Sequence, residues 1–121
     1  MKEIMAIIRP NKMHATKEAL VARGFPALTA QKVLGRGKQR GVAEELTFRI
    51  DPNLVDLNGH MTYVPKRMLT IVVDDDQVQE VIETIMATNR TGAIGDGRIF
   101  VLPIEEAVRM RTGETGPTAI K

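Results

Sequence analysis

Cysteine is absent from this sequence of 121 residues, and aromatic side chains are scarce. Without cysteine the chain has no disulfide framework, thiol nucleophile, zinc knuckle or iron–sulfur site, and we expect a cytoplasmic protein. Aromatic residues make up 3% of the chain, too few for the base-stacking platform of RNA-recognition domains. The apolar run Ile4–Ile8 is far shorter than the ~20 residues of a membrane span, so we expect no membrane insertion.

Charge of one sign is not in large excess either. The 17 Lys and Arg residues and 15 Asp and Glu residues leave a formal net charge of +2. This balance argues against a nucleic-acid partner, and any basic function must be local. An apolar content of 43% and a charged content of 26% are typical of a globular chain, and the length suits one domain.

Hydrophobic periodicity predicts two strand–helix–strand cycles in series. The predicted elements are a strand at Lys2–Arg9, a helix capped by Asn11 and ended by Gly24, a strand at Phe25–Leu34, a strand at Arg67–Val73, a helix begun by Asp74–Asp76, and a strand at Ile99–Ile104. Two such cycles favour an α+β fold, a ferredoxin-like βαββαβ sandwich with both helices on one face of an antiparallel sheet.

We assign residues 1–111 to this single domain. The segment 37–64 joins the two cycles and lacks clear periodicity, so we predict a long flexible loop, which in so small a domain is usually functional or disordered. Val108–Arg111 is compatible with a short extra strand. The remainder, residues 112–121, is rich in Gly, Pro and Thr and predicts a loose C-terminal tail.

Two glycine-rich segments have the composition of anion sites. In Gly35–Gly41, glycines alternate with cations and an amide, and such a backbone can approach phosphate oxygens closely. The segment does not match a Walker P-loop, and a flexible basic turn is the alternative. Thr91–Arg98 holds three glycines where one would end a helix, which suggests ligand approach, with an irregular connection as the alternative.

A third candidate is the pair Arg109 and Arg111, whose spacing places both guanidinium groups on one face of a strand. Such neighbours are tolerated when an anion lies between them, although solvated charge on an edge strand is the ordinary explanation. The three segments together contain six cations besides the acid Asp96, a balance that suits a nucleotide triphosphate. These cations are Arg36, Lys38, Arg40, Arg98, Arg109 and Arg111. Spacing alone does not show that they converge.

Catalytic signatures are missing from the sequence. His14 and His60 have no metal-ligand spacing, and no nucleophile is paired with a base. Asp74–Asp76 suits helix capping better than a metal site. We therefore expect a protein that is not an enzyme. The alternatives are a small phosphotransferase that uses the same anion site and an RNA-binding ferredoxin-like module.

As a set, these residues resemble the PII signal-transduction family over nearly the whole chain outside the long loop. The matching motifs are Met1-Lys2 through Ile7-Ile8-Arg9-Pro10, Gly35–Gly41, Thr91–Val101, and Arg109-x-Arg111-Thr112-Gly113-Glu114. The resemblance implies a ferredoxin-like subunit that assembles as a trimer, with ATP or ADP in the clefts between subunits. It also implies that 2-oxoglutarate binds through Mg-ATP.

The resemblance further implies roles for matching residues. The ribose and phosphates would be surrounded by Gly37, Lys38, Gln39, Gly95, Asp96, Gly97, Arg98, Arg109 and Arg111. Thr29 and Gly35 would lie nearer the adenine, and Gln39 would also bind the magnesium ion. Lys66 would pair with a carboxylate of 2-oxoglutarate, a suitable partner for an ammonium group.

Two positions depart from the family pattern. Thr70 replaces a glutamate usually found near the adenine, and Tyr63 lies at the far end of the loop, where uridylylation is not expected. The long acidic loop and the run Leu34–Gln39 resemble the nitrogenase-linked branch of the family. That branch implies a homotrimer, or a hetero-oligomer with a PII-like paralogue, that inhibits nitrogenase component 1. The alternative is a general PII regulator of glutamine synthetase or an ammonium transporter.

Overall fold

The computed structural model describes residues 1–36 and 63–121. Its strands are β1 (Lys2–Ile8), β2 (Thr29–Gly35), β3 (Val64–Val73) and β4 (Arg98–Pro103), and its helices are α1 (Met13–Ala22) and α2 (Val78–Asn89). Short 3₁₀ helices occupy Pro10–Lys12, Asp75–Gln77 and Gly116–Ile120. The strands form one antiparallel sheet in the order β2-β3-β1-β4, which confirms the predicted ferredoxin-like fold.

The core lies between the two helices and one face of the sheet. Ile4 of β1 is paired with Ile71 of β3 and Val101 of β4, so their side chains share a face. The helices contribute apolar side chains to the same cluster, among them Leu20 of α1 and Ile85 of α2. Alternate residues of each strand therefore point away from the helices toward a second face of the sheet.

Helix α1 begins differently from the prediction. Asn11 does not cap it, because the chain first forms a 3₁₀ turn in which Pro10 takes the first position. The predicted end at Gly24 is confirmed, since Gly24 has a φ of +90°. The backbone N–H of Phe25 donates to Leu20 O at 2.8 Å, and that of Gly24 donates to Val21 O at 3.0 Å. This Schellman motif directs Phe25 into the core, so the second strand begins only at Thr29.

Helix α2 starts from the predicted acidic segment. Asp74 and Gln77 form a capping box, in which Gln77 Oε1 accepts the backbone N–H of Asp74 at 3.2 Å. Asp75 instead pairs with the amino group of Met1 at 2.9 Å, which ties the start of β1 to this turn. These contacts support the capping interpretation of the acidic segment.

A buried polar contact joins the two helices. Asn89 Nδ2 donates to Thr16 Oγ1 at 2.9 Å and to Ile85 O at 2.8 Å. Thr16 and Asn89 are both buried, and Thr16 Oγ1 itself donates to Lys12 O at 2.7 Å. Because buried polar groups cost free energy when unpaired, this contact fixes how α1 and α2 meet.

The segment after β4 differs from both predictions for it. Val108–Arg111 is not a strand: Val108 forms a single bridge with Thr115, and Gly113 N donates to Arg109 O at 2.7 Å, which closes a turn. Gly113 and Gly116 have positive φ values and allow the chain to reverse there. The strand prediction, which was based on the spacing of two residues, did not take these glycines into account. The tail (residues 112–121) is also not loose, because it forms the 3₁₀ helix Gly116–Ile120 and hydrogen bonds back to the domain.

No helix within residues 1–36 and 63–121 combines the length and apolar character needed to cross a membrane.

Candidate functional site

A cleft of about 550 Å³ opens at the end of the sheet where β2 ends and β3 and β4 begin. Its volume lies within the range of about 300–1,000 Å³ that is typical of small-molecule sites. The described residues that line it include three cations and no acid. Predicted site residues among them are Gly35, Lys66, Gly95, Gly97 and Arg98, joined by Arg36.

The cleft lies at the base of the predicted long loop. Gly35 and Val64 are paired across β2 and β3, and both line the cleft, so the chain leaves and re-enters the sheet at its wall. Gly37, Lys38, Gln39 and the rest of segment 37–62 lie outside the described residues.

Lys66 is a buried cation on the sheet face that the helices leave open. Leu69 and Ile71 of β3 point into the core, so Lys66, an odd number of residues away, points to the opposite face. It is nevertheless only 7% exposed. Its Nζ donates to Gly95 O at 2.9 Å, so the glycine loop (residues 91–97), which connects α2 to β4, contacts it directly.

Asp96 organises the glycine loop from inside. Its Oδ2 accepts the backbone N–H groups of Thr91 at 2.7 Å and Gly92 at 2.8 Å, and its Oδ1 accepts the Thr91 hydroxyl. Arg9 Nη1 donates to Oδ1 at 2.7 Å. The hydrogen bonds from the Thr91 hydroxyl and backbone, followed by those from Arg9 and Gly92, hold the pKa of Asp96 well below its ordinary value. The predicted ligand residue therefore serves, in this structure, as the loop's internal anchor.

Arg9 is a site residue that the sequence reasoning missed. Besides Asp96 it binds Ile94 O through Nη2 at 3.0 Å, and its side chain is only 15% exposed. Arg9 and Lys66 thus hold two consecutive carbonyls of the glycine loop, from the ends of β1 and β3. The only signal in the sequence was the place of Arg9 beside Pro10 in the first family motif.

Gly97 is required by packing rather than by ligand approach alone. Its φ is +113°, and a Cβ built there would lie 1.9 Å from Ile7 O on the neighbouring strand. Gly92 and Gly95 also have positive φ values, +88° and +102°. The surplus of glycines is thus explained in part by the backbone path of the loop, in agreement with the alternative of an irregular connection.

Two further predicted cations, Arg109 and Arg111, lie at the opposite end of the same sheet. Five residue steps along β4, roughly 17 Å, separate Arg98 from Pro103, and Arg109 comes beyond that point. There Ile104 N donates to Met1 O, and Lys121 Nζ lies 3.9 Å from Asp74 Oδ2 at the end of β3. One chain therefore does not bring Arg109 and Arg111 to the cleft.

Arg109 is engaged within its own segment. Its Nη1 donates to Glu114 Oε1 at 3.0 Å, and its Nη2 donates to Thr118 O at 3.2 Å and to Lys121 O. Thr29, predicted near the adenine, is exposed on β2 opposite Thr70, far from the Gly35 end of that strand.

Metal ligands are not assembled in the part of the chain that the structure describes. No group of three or more His, Cys, Asp or Glu residues within it could hold a metal ion. The carboxylate of Asp96 already accepts four hydrogen bonds from Arg9, Thr91 and Gly92. The predicted magnesium ligand, Gln39, lies outside the described residues.

Comparison with known proteins gives consistent matches. The family model "Nitrogen regulatory protein P-II" matches residues 1–114. The "Nitrogen fixation nifHD region GlnB-like protein 2" of Methanobacterium ivanovii is 54% identical over 121 residues, which cover 99% of both chains. The "Nitrogen fixation nifHD1 region GlnB-like protein 2" of Methanosarcina barkeri is 52% identical over the full length of both. The crystal structure of Arabidopsis thaliana PII bound to citrate has a TM-score of 0.75 and 36% identity, covering 99% of this chain and 89% of that one.

Proposed function

The chain belongs to the nitrogen regulatory protein P-II family, in a branch linked to nitrogen fixation, and we propose that it is a cytoplasmic, non-enzymatic sensor of nitrogen status. In this proposal it binds ATP or ADP together with 2-oxoglutarate, and it inhibits nitrogenase by direct binding of component 1. The names of its relatives support the link to nitrogen fixation, and the cleft supports a ligand-controlled regulator.

The observation that carries the proposal is the position of the cleft at the base of the loop. Arg36, Lys66 and Arg98 give its wall a positive charge that suits phosphate or carboxylate oxygens. Gly35 and Val64, where the chain leaves and re-enters the sheet, form part of the same wall. A ligand bound there therefore contacts both ends of the segment that would meet a protein target.

The nucleotide site would be completed between subunits. In one chain Arg98 lies at the cleft, whereas Arg109 and Arg111 lie beyond the other end of β4. In a trimer, the cleft of one subunit would receive these arginines from its neighbour. The exposed apolar side chains of β4 on the sheet face that the helices leave open suit such a contact: Phe100 is 47% exposed and Leu102 37%.

Lys66 is our candidate for the 2-oxoglutarate carboxylate. It is a buried cation whose Nζ already donates to Gly95 O, so its ammonium group reaches the glycine loop, beside which the phosphates would lie in this proposal. Magnesium would be held by the ATP phosphates and Gln39, because the described residues contain no group of three or more His, Cys, Asp or Glu side chains that could hold it. The ion would link the nucleotide to 2-oxoglutarate, which makes the binding of one ligand depend on the other.

Regulation would follow from unequal affinity of the ligands for two states of the loop. When ATP and 2-oxoglutarate are abundant, their contacts at the base of the loop would favour a state that does not bind the target, and loss of the ligands would release it. A coupling free energy of about 1–3 kcal/mol is ordinary for such systems.

Isothermal titration calorimetry tests the ligand site. We expect 2-oxoglutarate to bind only when Mg-ATP is present, and Lys66→Met to abolish that binding while ATP still binds. Lys32→Met is the matched control, because Lys32 is an exposed lysine on β2. A thermal melt of each variant checks that it is folded. Binding of 2-oxoglutarate to the protein without nucleotide would refute the shared site.

A pull-down from nitrogen-fixing cells tests the target. Recovery of nitrogenase component 1 in the absence of 2-oxoglutarate, and its release by Mg-ATP with 2-oxoglutarate, is the expected result. Recovery of glutamine synthetase or an ammonium transporter instead would support a general PII regulator. Sustained ATP turnover by the purified protein, abolished by a substitution in the cleft, would contradict the non-enzymatic proposal.

A further inference from the structure

The guanidinium group of Arg109 is surrounded by oxygen acceptors from the tail. Glu114 Oε1 accepts from Nη1 at 3.0 Å, while the main-chain oxygens of Thr118 and Lys121 accept from Nη2. The side chain of Arg109 is 28% exposed. A carboxylate with two further oxygens presents the same acceptor chemistry to a guanidinium as a phosphate group does.

The fold of the tail positions these acceptors. The backbone N–H of Gly116 donates to Ala107 O at 3.0 Å and to Glu106 Oε1 at 2.9 Å, which fixes the start of the 3₁₀ helix. At its other end, Lys121 Nζ lies 3.9 Å from Asp74 Oδ2. The contacts of Arg109 therefore belong to an ordered segment rather than to a chance encounter of surface side chains.

We propose that the tail competes with a nucleotide phosphate for Arg109 and so lowers the protein's affinity for nucleotide. This inference rests on the proposed role of Arg109 as a phosphate ligand. A phosphate that takes both guanidinium edges has to displace Glu114 and the oxygens of Thr118 and Lys121. Only the fraction of molecules with a displaced tail binds fully, and the apparent dissociation constant is the intrinsic one divided by that fraction.

The direction in which Glu114→Gln changes ATP affinity distinguishes competition from a role in which Glu114 orients Arg109. Glu114→Gln removes the charge that competes for Arg109 while it keeps the shape of the side chain. If Glu114 competes, the variant binds ATP more tightly, by roughly two- to fivefold, because an exposed ion pair is worth little. If Glu114 instead orients Arg109 for the phosphate, the variant binds ATP more weakly.

The experiment is calorimetric titration of the full chain with Mg-ATP and with Mg-ADP, without 2-oxoglutarate. Glu105→Gln is the matched control, because Glu105 is a nearby exposed carboxylate and the charge change is identical. Glu106→Gln is the second test variant, because it loosens Gly116 without contacting Arg109, and we expect it to tighten binding as well. It keeps the proposal testable if Glu114→Gln fails to fold.

Hydrogen exchange distinguishes competition from a purely structural contact, because only competition predicts that nucleotide changes amide exchange in the tail. Saturation with nucleotide should speed amide exchange in residues 118–121, because the tail leaves Arg109. Slower exchange there, or unchanged or weaker ATP binding by both test variants, would overturn the proposal. Arg109→Ala tests the proposed role of Arg109 as a phosphate ligand separately from the tail. If this variant binds ATP as tightly as the unmodified chain does, that role is wrong.

Discussion

Replacement of Gly97 by alanine should separate β4 from β1. The new Cβ would lie 1.9 Å from Ile7 O, whereas contacts below 3.0 Å are essentially never seen for real Cβ atoms. The two backbones must therefore move apart by more than about 1 Å at the point where Arg98 pairs with Ile7. Alanine at a φ of +113° adds backbone strain.

We expect Gly97→Ala to lower the free energy of unfolding by about 2–5 kcal/mol, from about 1–3 kcal/mol for the clash and about 1–2 kcal/mol for the strain. For a chain of this size the melting temperature should fall by roughly 10 °C or more. Urea and thermal unfolding, followed by circular dichroism at equal protein concentrations, measure the change.

Gly92→Ala is the control for the strain alone. Gly92 has a φ of +88° in the same loop, but no atom lies within 4 Å of its built Cβ. We expect it to lose only about 1–2 kcal/mol. If the two variants lose the same free energy of unfolding, the close approach of Gly97 to Ile7 adds no cost beyond backbone strain, which would refute the predicted clash.

Two further stability predictions follow from hydrogen bonds inside the protein. Asp96→Asn should cost roughly 2–3 kcal/mol at neutral pH, because charged acceptors contribute the stronger hydrogen bonds. Since the pKa of Asp96 is lower in the folded state than its ordinary value, its contribution is complete above about pH 4 and is lost as the pH falls toward the folded pKa. Urea midpoints measured from pH 7 to pH 2 should therefore converge for the two proteins, and parallel curves would contradict this. Thr16→Val should cost about 1 kcal/mol, because Asn89 Nδ2 loses a buried acceptor on the other helix. Thr88→Val should cost less in the same assay, because the half-buried Thr88 hydroxyl donates to Thr84 O within α2.

The fold was predictable because its signals are local and repeated. Helix α2 follows the acidic segment that begins at Asp74, and its apolar residues Val81 and Ile85, which are four positions apart, are buried. The errors in the predicted elements occur where a tertiary contact determines the local structure. Phe25 was predicted to begin a strand because it is apolar. In the structure its side chain instead packs in the core next to the end of α1.

The sequence identified several residues that line the cleft, but it did not predict the contacts of Asp96 and Arg109. Glycine content marked the loop that contacts the cleft, but whether Asp96 faces a ligand or its own loop depends on Arg9, which lies 87 residues away in the sequence. No spacing rule predicts that pair. In the same way, alternation placed Arg109 and Arg111 on a strand, whereas the Gly113 turn gives Arg109 an intramolecular acceptor, Glu114.

The placement of Arg98 and Arg109 at opposite ends of one sheet has a consequence for assembly. If both bind one nucleotide, the ligand bridges two chains, and mass action makes the affinity measured for it rise with protein concentration until association is complete. Nucleotide would then cross-link neighbours. A hetero-oligomer of this chain and a paralogue would contain pockets with one wall from each protein. Its affinity for nucleotide would then differ from that of either homo-oligomer.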